Sequence, residues 1–382
     1  MSSERSPELY PLAISERPSF EAFVDPLTVV DLFAGCGGLS LGVAQAAQDL
    51  GRGFDVRLAV EFNESPAAVY RANFPHARAL MVEDITTLFS SDLDQPLSKA
   101  EKEMRNSVGK LDVLVGGPPC QGHSNLNNHT RRDDPKNALY AIMARAAQVF
   151  SPGVIVVENV PAVLNDRHKG TNTVSVVRER LTTLGYDVSD RVVSLYELGV
   201  PQKRKRHILL ATFSGQSTPH EILDHLATST AKTVDLEWAI GDLVEVAGDG
   251  LFDRAPTPSA DNVKRMQYLL RKGEYNLPNH FRPRCHQGNH SYNSMYGRLA
   301  WNQPAQTITS GFGSIGQGRY MHPDLPRALT PHEAARIQGF PDYFDFAMAT
   351  TRSALATMIG NAVPPQLARQ LLLEVLNPAP AD

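Results

Sequence analysis

Leu27-Thr28-Val29-Val30-Asp31-Leu32-Phe33 runs directly into Ala34-Gly35-Cys36-Gly37-Gly38-Leu39-Ser40-Leu41-Gly42. The first seven residues are apolar and rich in β-branching around a single acid, the make-up of a strand covered on both faces. The glycines permit a tight turn, and helical sequence follows to Leu50. Strand, glycine turn and helix in this order open a nucleotide-type βαβ unit, so an α/β protein with a Rossmann-like sheet is expected. The turn is not G-x-G-x-x-G, because Ser40 stands at the third glycine position. A pyrophosphate cradle is therefore not specified. A cofactor carrying adenosine without pyrophosphate, such as S-adenosylmethionine, suits the turn better.

The pattern continues outward from that unit. Residues 56–60 read as a second strand ending in Glu61, where a carboxylate can accept hydrogen bonds from both ribose hydroxyls. A helix over 65–73 follows, with Ser65 as N-cap and Pro66 in its first turn. Asp84, in Val82-Glu83-Asp84-Ile85, is placed to meet an adenine amino group. Residues 91–109 are polar and read as a solvated insertion.

A further apolar run, residues 111–115, is stopped by Gly116-Gly117-Pro118-Pro119-Cys120-Gln121-Gly122-His123-Ser124. Cys120 thus stands on a stiff turn at a strand end, where open α/β sheets bind their ligands. A thiolate there can be a nucleophile, and a small buried hydrophobe is the competing reading. The polar loop 125–137 has the character of a lid. Beyond a helix over 138–149, strand 153–157 ends in Glu158-Asn159-Val160-Pro161, so neighbouring parallel strands would bring Glu158 and Cys120 to one crevice. Residues 186–195 and 208–212 are two more strands. Between them, Gln202, Arg204 and Arg206 share one face of an extended segment, with Lys203 and Lys205 on the other.

The chain has 382 residues, 42% hydrophobic and 20% charged, and a formal net charge of −4. That suits a folded protein with a sizeable core and, by its length, two domains; no apolar stretch has the ~20 residues of a membrane span. Residues 1–25 are charged and read as a tail or a capping segment, unlike a signal peptide. The three cysteines lie far apart, which argues against a disulfide framework or a zinc site and for a reducing cytoplasm. Charge is uneven: from Arg254 to Arg298 eight basic residues stand against two acids, with five Tyr or Phe interleaved. A face turned to phosphate is the favoured explanation, a solvated loop region the plain one. Strand–helix alternation is lost over 246–325, with Gln306-Thr307-Ile308-Thr309 as a short strand. Domains are accordingly expected at 26–245 (catalytic) and 246–325, with 326–382 returning to the first. Thr330-Pro331 opens a capped helix, and a final helix runs over 366–376.

Taken together, these motifs resemble those of the DNA (cytosine-5)-methyltransferase family. The resemblance rests on Asp31-Leu32-Phe33-Ala34-Gly35-Cys36-Gly37-Gly38, Pro118-Pro119-Cys120-Gln121, Glu158-Asn159-Val160, Gln202-x-Arg204-x-Arg206, Arg336-Ile337-Gln338-Gly339-Phe340-Pro341 and Gly360-Asn361-Ala362-Val363-Pro364-Pro365, in the family's order. Two positions depart from its commonest pattern: His123, where an aromatic is frequent, and Lys136-Asn137, where Arg-Gly is frequent. The resemblance implies an S-adenosylmethionine-dependent methyltransferase domain with a smaller, irregular target-recognition domain, acting on double-stranded DNA. It implies that Cys120 adds to C6 of a flipped-out cytosine, Glu158 serves N3, and Arg206 and Arg204 hold the base. Cofactor contacts carried over are Phe33, Gly35, Gly37, Glu61, Asp84, Pro119 and Asn361. DNA contacts are Gln121, Ser124, Gln202, Arg282 and Arg284, and no metal is implied. The family's setting is bacterial restriction or phage defence, with a cytoplasmic enzyme that meets the nucleoid on DNA and acts as a monomer. The rival expectations are an RNA cytosine methyltransferase, a catalytically idle DNA-binding relative and a small-molecule methyltransferase.

Overall fold

A computed structural model describes residues 11–20, 25–90, 92–119, 138–168, 171–213, 218–228, 233–246, 248, 250–287 and 294–377. Backbone contacts divide the chain into two units. The sheet unit comprises Pro18–Leu198, Lys205–Ala231 and Val363–Asp382; the second unit comprises Met1–Arg17, Gly199–Arg204 and Lys232–Ala362.

The sheet unit is built from β1 (Leu27–Leu32), α1 (Gly38–Asp49), β2 (Phe54–Glu61), α2 (Glu64–Asn73), β3 (Leu80–Val82), α3 (Lys99–Val108), β4 (Val113–Gly116), α4 (Ala138–Phe150), β5 (Val154–Asn159), α5 (Thr173–Thr183), β6 (Tyr186–Ser194), β7 (Lys205–Phe213) and α6 (Pro219–Thr228). Its seven strands lie in the order β3-β2-β1-β4-β5-β7-β6. The first five are parallel, and β7 runs antiparallel to both neighbours. The apolar runs read from the sequence are the central strands: β1, β4 and β5 are buried along their whole length. Strand order reverses direction at β1, so the crevice for a ligand opens between the carboxyl ends of β1 and β4.

Helix α2 starts at Glu64 with Asn63 in extended backbone as its N-cap, so Ser65 lies inside the helix. Residues 91–109 are more than a solvated insertion. Within them α3 is opened by a Ser98–Glu101 capping box, and Glu101, 1% exposed, takes Arg145 of α4 at 2.7 Å through both carboxylate oxygens. Those bonds hold the Glu101 carboxyl down to about 2. Arg145 also donates to the Gln95 and Pro96 carbonyls, which staples the segment to α4. The final helix (Pro365–Leu376) lies along α1, where a side chain at Gly42 would come within 2.1 Å of the Pro365 carbonyl oxygen.

The second unit holds α7 (Ala260–Lys272), α8 (Pro331–Ile337) and α9 (Arg352–Asn361). The loss of regular structure expected over 246–325 is thus partial, since α7 is capped by Ser259 and closed by a left-handed Gly273. It packs Met266 and Leu269 against Leu277, Tyr296, Ile315 and Met321, a small core of its own. The strand expected at 306–309 is the two-residue pair Ala305–Gln306, parallel to Gln202–Lys203. Residues 11–20 are anchored and not a loose tail. Leu12 and Ile14 carbonyls accept the Asp342 and Tyr343 amides in the second unit, and the Phe20 carbonyl accepts the Phe54 amide in the sheet unit. The final helix of 365–376 follows the chain back into the sheet unit. Residues 326–362 do not; they stay with the second unit. That helix is named α10 below. No helix among the described residues is long and apolar enough to cross a membrane.

Candidate active site

The carboxyl ends of the parallel strands and the start of β7 share one edge of the sheet, and the catalytic and cofactor candidates described in the sheet unit lie along it. After β1 the chain turns through Phe33, left-handed at φ 59°, and Gly37, whose φ of 102° suits only glycine at the N-cap of α1. A left-handed Phe is strained, and such strain gathers at functional sites. The Gly35 amide donates to Glu61 Oε2 at 2.9 Å, while Oε1 accepts the Asn63 amide and side chain at 2.8 and 3.2 Å. A carboxylate offers about four acceptor sites. Three are taken, so Glu61 can accept one further hydroxyl without displacing its present partners. Beside it Phe62 is 67% exposed, an apolar face that no motif in the sequence signals. Asp84 uses Oδ1 to cap Ile85–Leu88 through the Thr86 amide and hydroxyl, which holds its carboxyl below the usual range. Its Oδ2 meets no donor among the described residues.

Beneath the turn, Asp31 is fully buried and accepts the Ser40 hydroxyl at 2.6 Å; Ser40 in turn meets the Tyr70 hydroxyl at 2.8 Å. Burial pushes the Asp31 carboxyl up to about 7 and the neighbouring Cys36 thiol up to about 12, so Cys36 is inert.

Cys120, Gln121 and Ser124 lie outside the described residues. The turn leading to Cys120 is described as far as Pro119, which is exposed. A methyl group on Gly117 would stand 3.3 Å from Glu158 Oε2 and 3.7 Å from Val363 Cγ2, so the Glu158 carboxylate sits directly against the Gly-Pro-Pro turn. Arg206 forms an ion pair with Glu158 across the β5–β7 ladder. Asn159, buried, donates from Nδ2 to the Pro118 carbonyl at 3.0 Å and accepts the Val160 amide on Oδ1. It pins the turn, a role its place in Glu158-Asn159-Val160 could have signalled.

The alternation expected at 202–206 is present: Gln202 and Arg204 of the second unit are buried, Lys203 and Lys205 exposed, and Arg206 of the sheet unit half-buried. Gln202 has no exposed surface. Its amide donates to the Ile337 carbonyl and Gln338 Oε1 and accepts the Ile308 amide, which corrects the expectation of a DNA contact there. Arg204, 2% exposed, donates to the Ile308, Gly360 and Ala362 carbonyls. Those bonds give it the work of a brace within its own unit, where a hold on the base was expected. Gln338 donates to the Ile359 carbonyl, so Asn361, exposed at the end of α9, is flanked on both sides by braced carbonyls. Arg282 is half-buried and donates to the Leu277 carbonyl, whereas Arg284 is exposed. Around them the basic and aromatic residues interlock: Tyr268 against Phe281 at 4.3 Å, and the Arg298 guanidinium 4.6 Å over the Tyr275 ring. Among the described residues no group of His, Cys, Asp and Glu could hold a metal ion.

Known proteins resemble the chain over most of its length. The profile described as C-5 cytosine-specific DNA methylase matches residues 27–377. The Type II methyltransferase M1.BsuMI of Bacillus subtilis is 42% identical over 366 residues, covering 96% of this chain and 84% of that protein. The Type II methyltransferase M1.HphI of Haemophilus parahaemolyticus is 31% identical, covering 92% and 87%. The crystal structure of the S. pombe Dnmt2 methyltransferase shares the fold, with a TM-score of 0.61 at 18% identity over 93% of this chain and 99% of that one.

Proposed function

The chain belongs to the C-5 cytosine-specific DNA methylases and transfers a methyl group from S-adenosylmethionine to C5 of cytosine in DNA; on that premise we propose how its residues divide the reaction. Cys120 adds as thiolate to C6 of a base turned out of the duplex, and the ring electrons move toward N3. Glu158 meets that developing charge at N3 with a proton taken up from water as Arg206 leaves the ion pair for the base. Arg206 keeps the Glu158 carboxyl oriented until the base arrives, and then donates to the base from the same edge. As C5 takes the methyl group the N3 proton goes back to Glu158; loss of the C5 proton to water then restores the C5=C6 double bond and expels the Cys120 thiolate from C6. Bound S-adenosylmethionine supplies the electrophilic methyl group. The residues fit it: Glu61 has one acceptor site left for a ribose hydroxyl, Asp84 Oδ2 is open to an adenine amino group, and Phe62 offers an apolar face. Phe33, Gly35, Gly37, Pro119 and Asn361 complete the proposed contacts.

One observation carries this assignment: the Glu158 carboxylate rests against the turn that presents Cys120, with Asn159 fixing the turn's carbonyl. Methylation assays on duplex DNA, a tRNA and free cytidine, run side by side, test it. Transfer to tRNA or cytidine in preference to duplex would overturn it.

The second unit, centred on residues 246–325, is proposed as the part that reads sequence. Arg284 is its exposed phosphate contact, and Arg282 shapes the surface. Arg284→Ala should therefore lower the slope of log K against log salt by about one, with the methylated sequence unchanged. An unchanged slope would remove Arg284 from the interface. We further propose a protective, sequence-specific methylation in a bacterial cytoplasm, by a monomer on nucleoid DNA beside a restriction or defence nuclease; the Type II methyltransferase names of bacterial relatives support the methylation alone. Nanopore sequencing of DNA from a methylation-free host expressing the chain would give the site.

For the cofactor, Glu61→Ala should weaken S-adenosylmethionine binding by about 1.5–3 kcal/mol, the worth of a hydrogen bond to a charged group. Calorimetry showing wild-type affinity would take Glu61 out of the pocket.

A further inference from the structure

A second polar cluster lies behind the turn, on the opposite face of β5 from Glu158. His207 is fully buried, and its Nε2 meets Asp190 Oδ2 at 2.9 Å. Asp190 also takes Arg178 of α5 at 2.7 Å. In the sheet register His207 faces Asn159, the residue that pins Pro118, and Asp190 faces Leu209. Side chains directly opposite on antiparallel strands share a face and lie ~5 Å apart at Cβ. His207, Leu209, Asp190 and Asn159 therefore occupy one face. Tyr140, in the first turn of α4, is buried in the same core as Val157, Leu209 and Ala211.

Two polar atoms in this cluster have no hydrogen-bond partner among the described residues, the Tyr140 hydroxyl and His207 Nδ1. They are complementary. With Nε2–H given to Asp190, Nδ1 is a lone-pair acceptor, while the tyrosine O–H is a donor. Buried donors and acceptors left unsatisfied are destabilising, so a pair of this kind is expected to be bridged. Burial and the negative charges of Asp190 and Glu158 push the Tyr140 hydroxyl's pKa far up, so it stays a donor.

We propose that His207, held by Asp190, is a positioning residue that ties together both stems of the segment carrying Cys120: the Pro118 stem through Asn159, and the α4 stem through the Tyr140 hydroxyl by way of one buried water. This rests on Cys120 being the nucleophile. The tie would let the sheet set where the segment begins and ends without touching DNA or cofactor.

The test is the rate of covalent capture by duplex DNA containing 5-fluorocytosine at the methylated site, measured for wild type, Tyr140→Phe, His207→Gln and the double variant. S-adenosylmethionine affinity and melting temperature are followed in parallel. Tyr140→Phe removes one oxygen from an otherwise unchanged ring, so it should fold as wild type. Its capture rate should fall about five- to tenfold with cofactor affinity held. In the His207→Gln background the same change should add almost nothing, because the two act as one unit. Capture by Tyr140→Phe at the wild-type rate, or losses that multiply in the double variant, would overturn the tie. Failure of the wild type itself to be captured would instead remove the covalent role of Cys120.

Discussion

Cys120→Ser is expected to abolish methyl transfer, lowering kcat at least about a thousandfold, as loss of a nucleophile does in other covalent enzymes. An alkoxide is far harder to generate at neutral pH than a thiolate, and Arg206, the cation on this edge, is already engaged by Glu158. Cofactor affinity should hardly change, because Glu61, Asp84 and the glycine turn stand on other strands. Single-turnover transfer and calorimetry on the same preparation separate the two. A Cys120→Ser enzyme with near-normal turnover would mean that no bond forms between sulfur and the base.

The second large effect is expected at Glu158. Glu158→Gln keeps the shape and a polar end but can no longer give up a proton to N3, and general acid catalysis of this kind is worth about 10²–10⁴-fold. Loss of charge also leaves Arg206 without its ion pair, so part of the defect would be a misplaced guanidinium. Arg206→Lys distinguishes these contributions, since a lysine keeps the charge but not the planar fork. If Glu158→Gln retained single-turnover rates close to wild type, proton supply at N3 would have to come from elsewhere.

Much of the fold and of this site is legible in the amino-acid order, because buried parallel strands announce themselves as continuous apolar runs. Leu27–Leu32, Val113–Gly116 and Val154–Asn159 are such runs, and each ends in a residue with chemistry next to it. What stays hidden is polar and buried. Glu101 looks like a surface residue in a hydrophilic stretch, and Arg145 like the solvated position of an otherwise apolar helix, since their meeting depends on a contact between residues 44 apart. Gln202 and Arg204 show the correct alternation, yet alternation tells only that two side chains share a face, not whether that face meets DNA or the protein's own carbonyls. His207 gives no signal at all, since a lone histidine at a strand start is ordinary until its cross-strand neighbour is known to be Asn159.

The packing of α10 along α1 bears on how the enzyme comes into being. The closest approach, Gly42 to the Pro365 carbonyl, joins residues separated by most of the chain. At synthesis rates of ~5–20 residues per second, α1 would wait roughly 15–65 s for its cover. Contacts of such long range form late and slowly. The half of the protein that begins first is thus sealed late, by a segment translated long after it. A message cut short or shifted out of frame ahead of Pro365 would yield a chain lacking that seal, with α1, which follows the glycine turn, left uncovered.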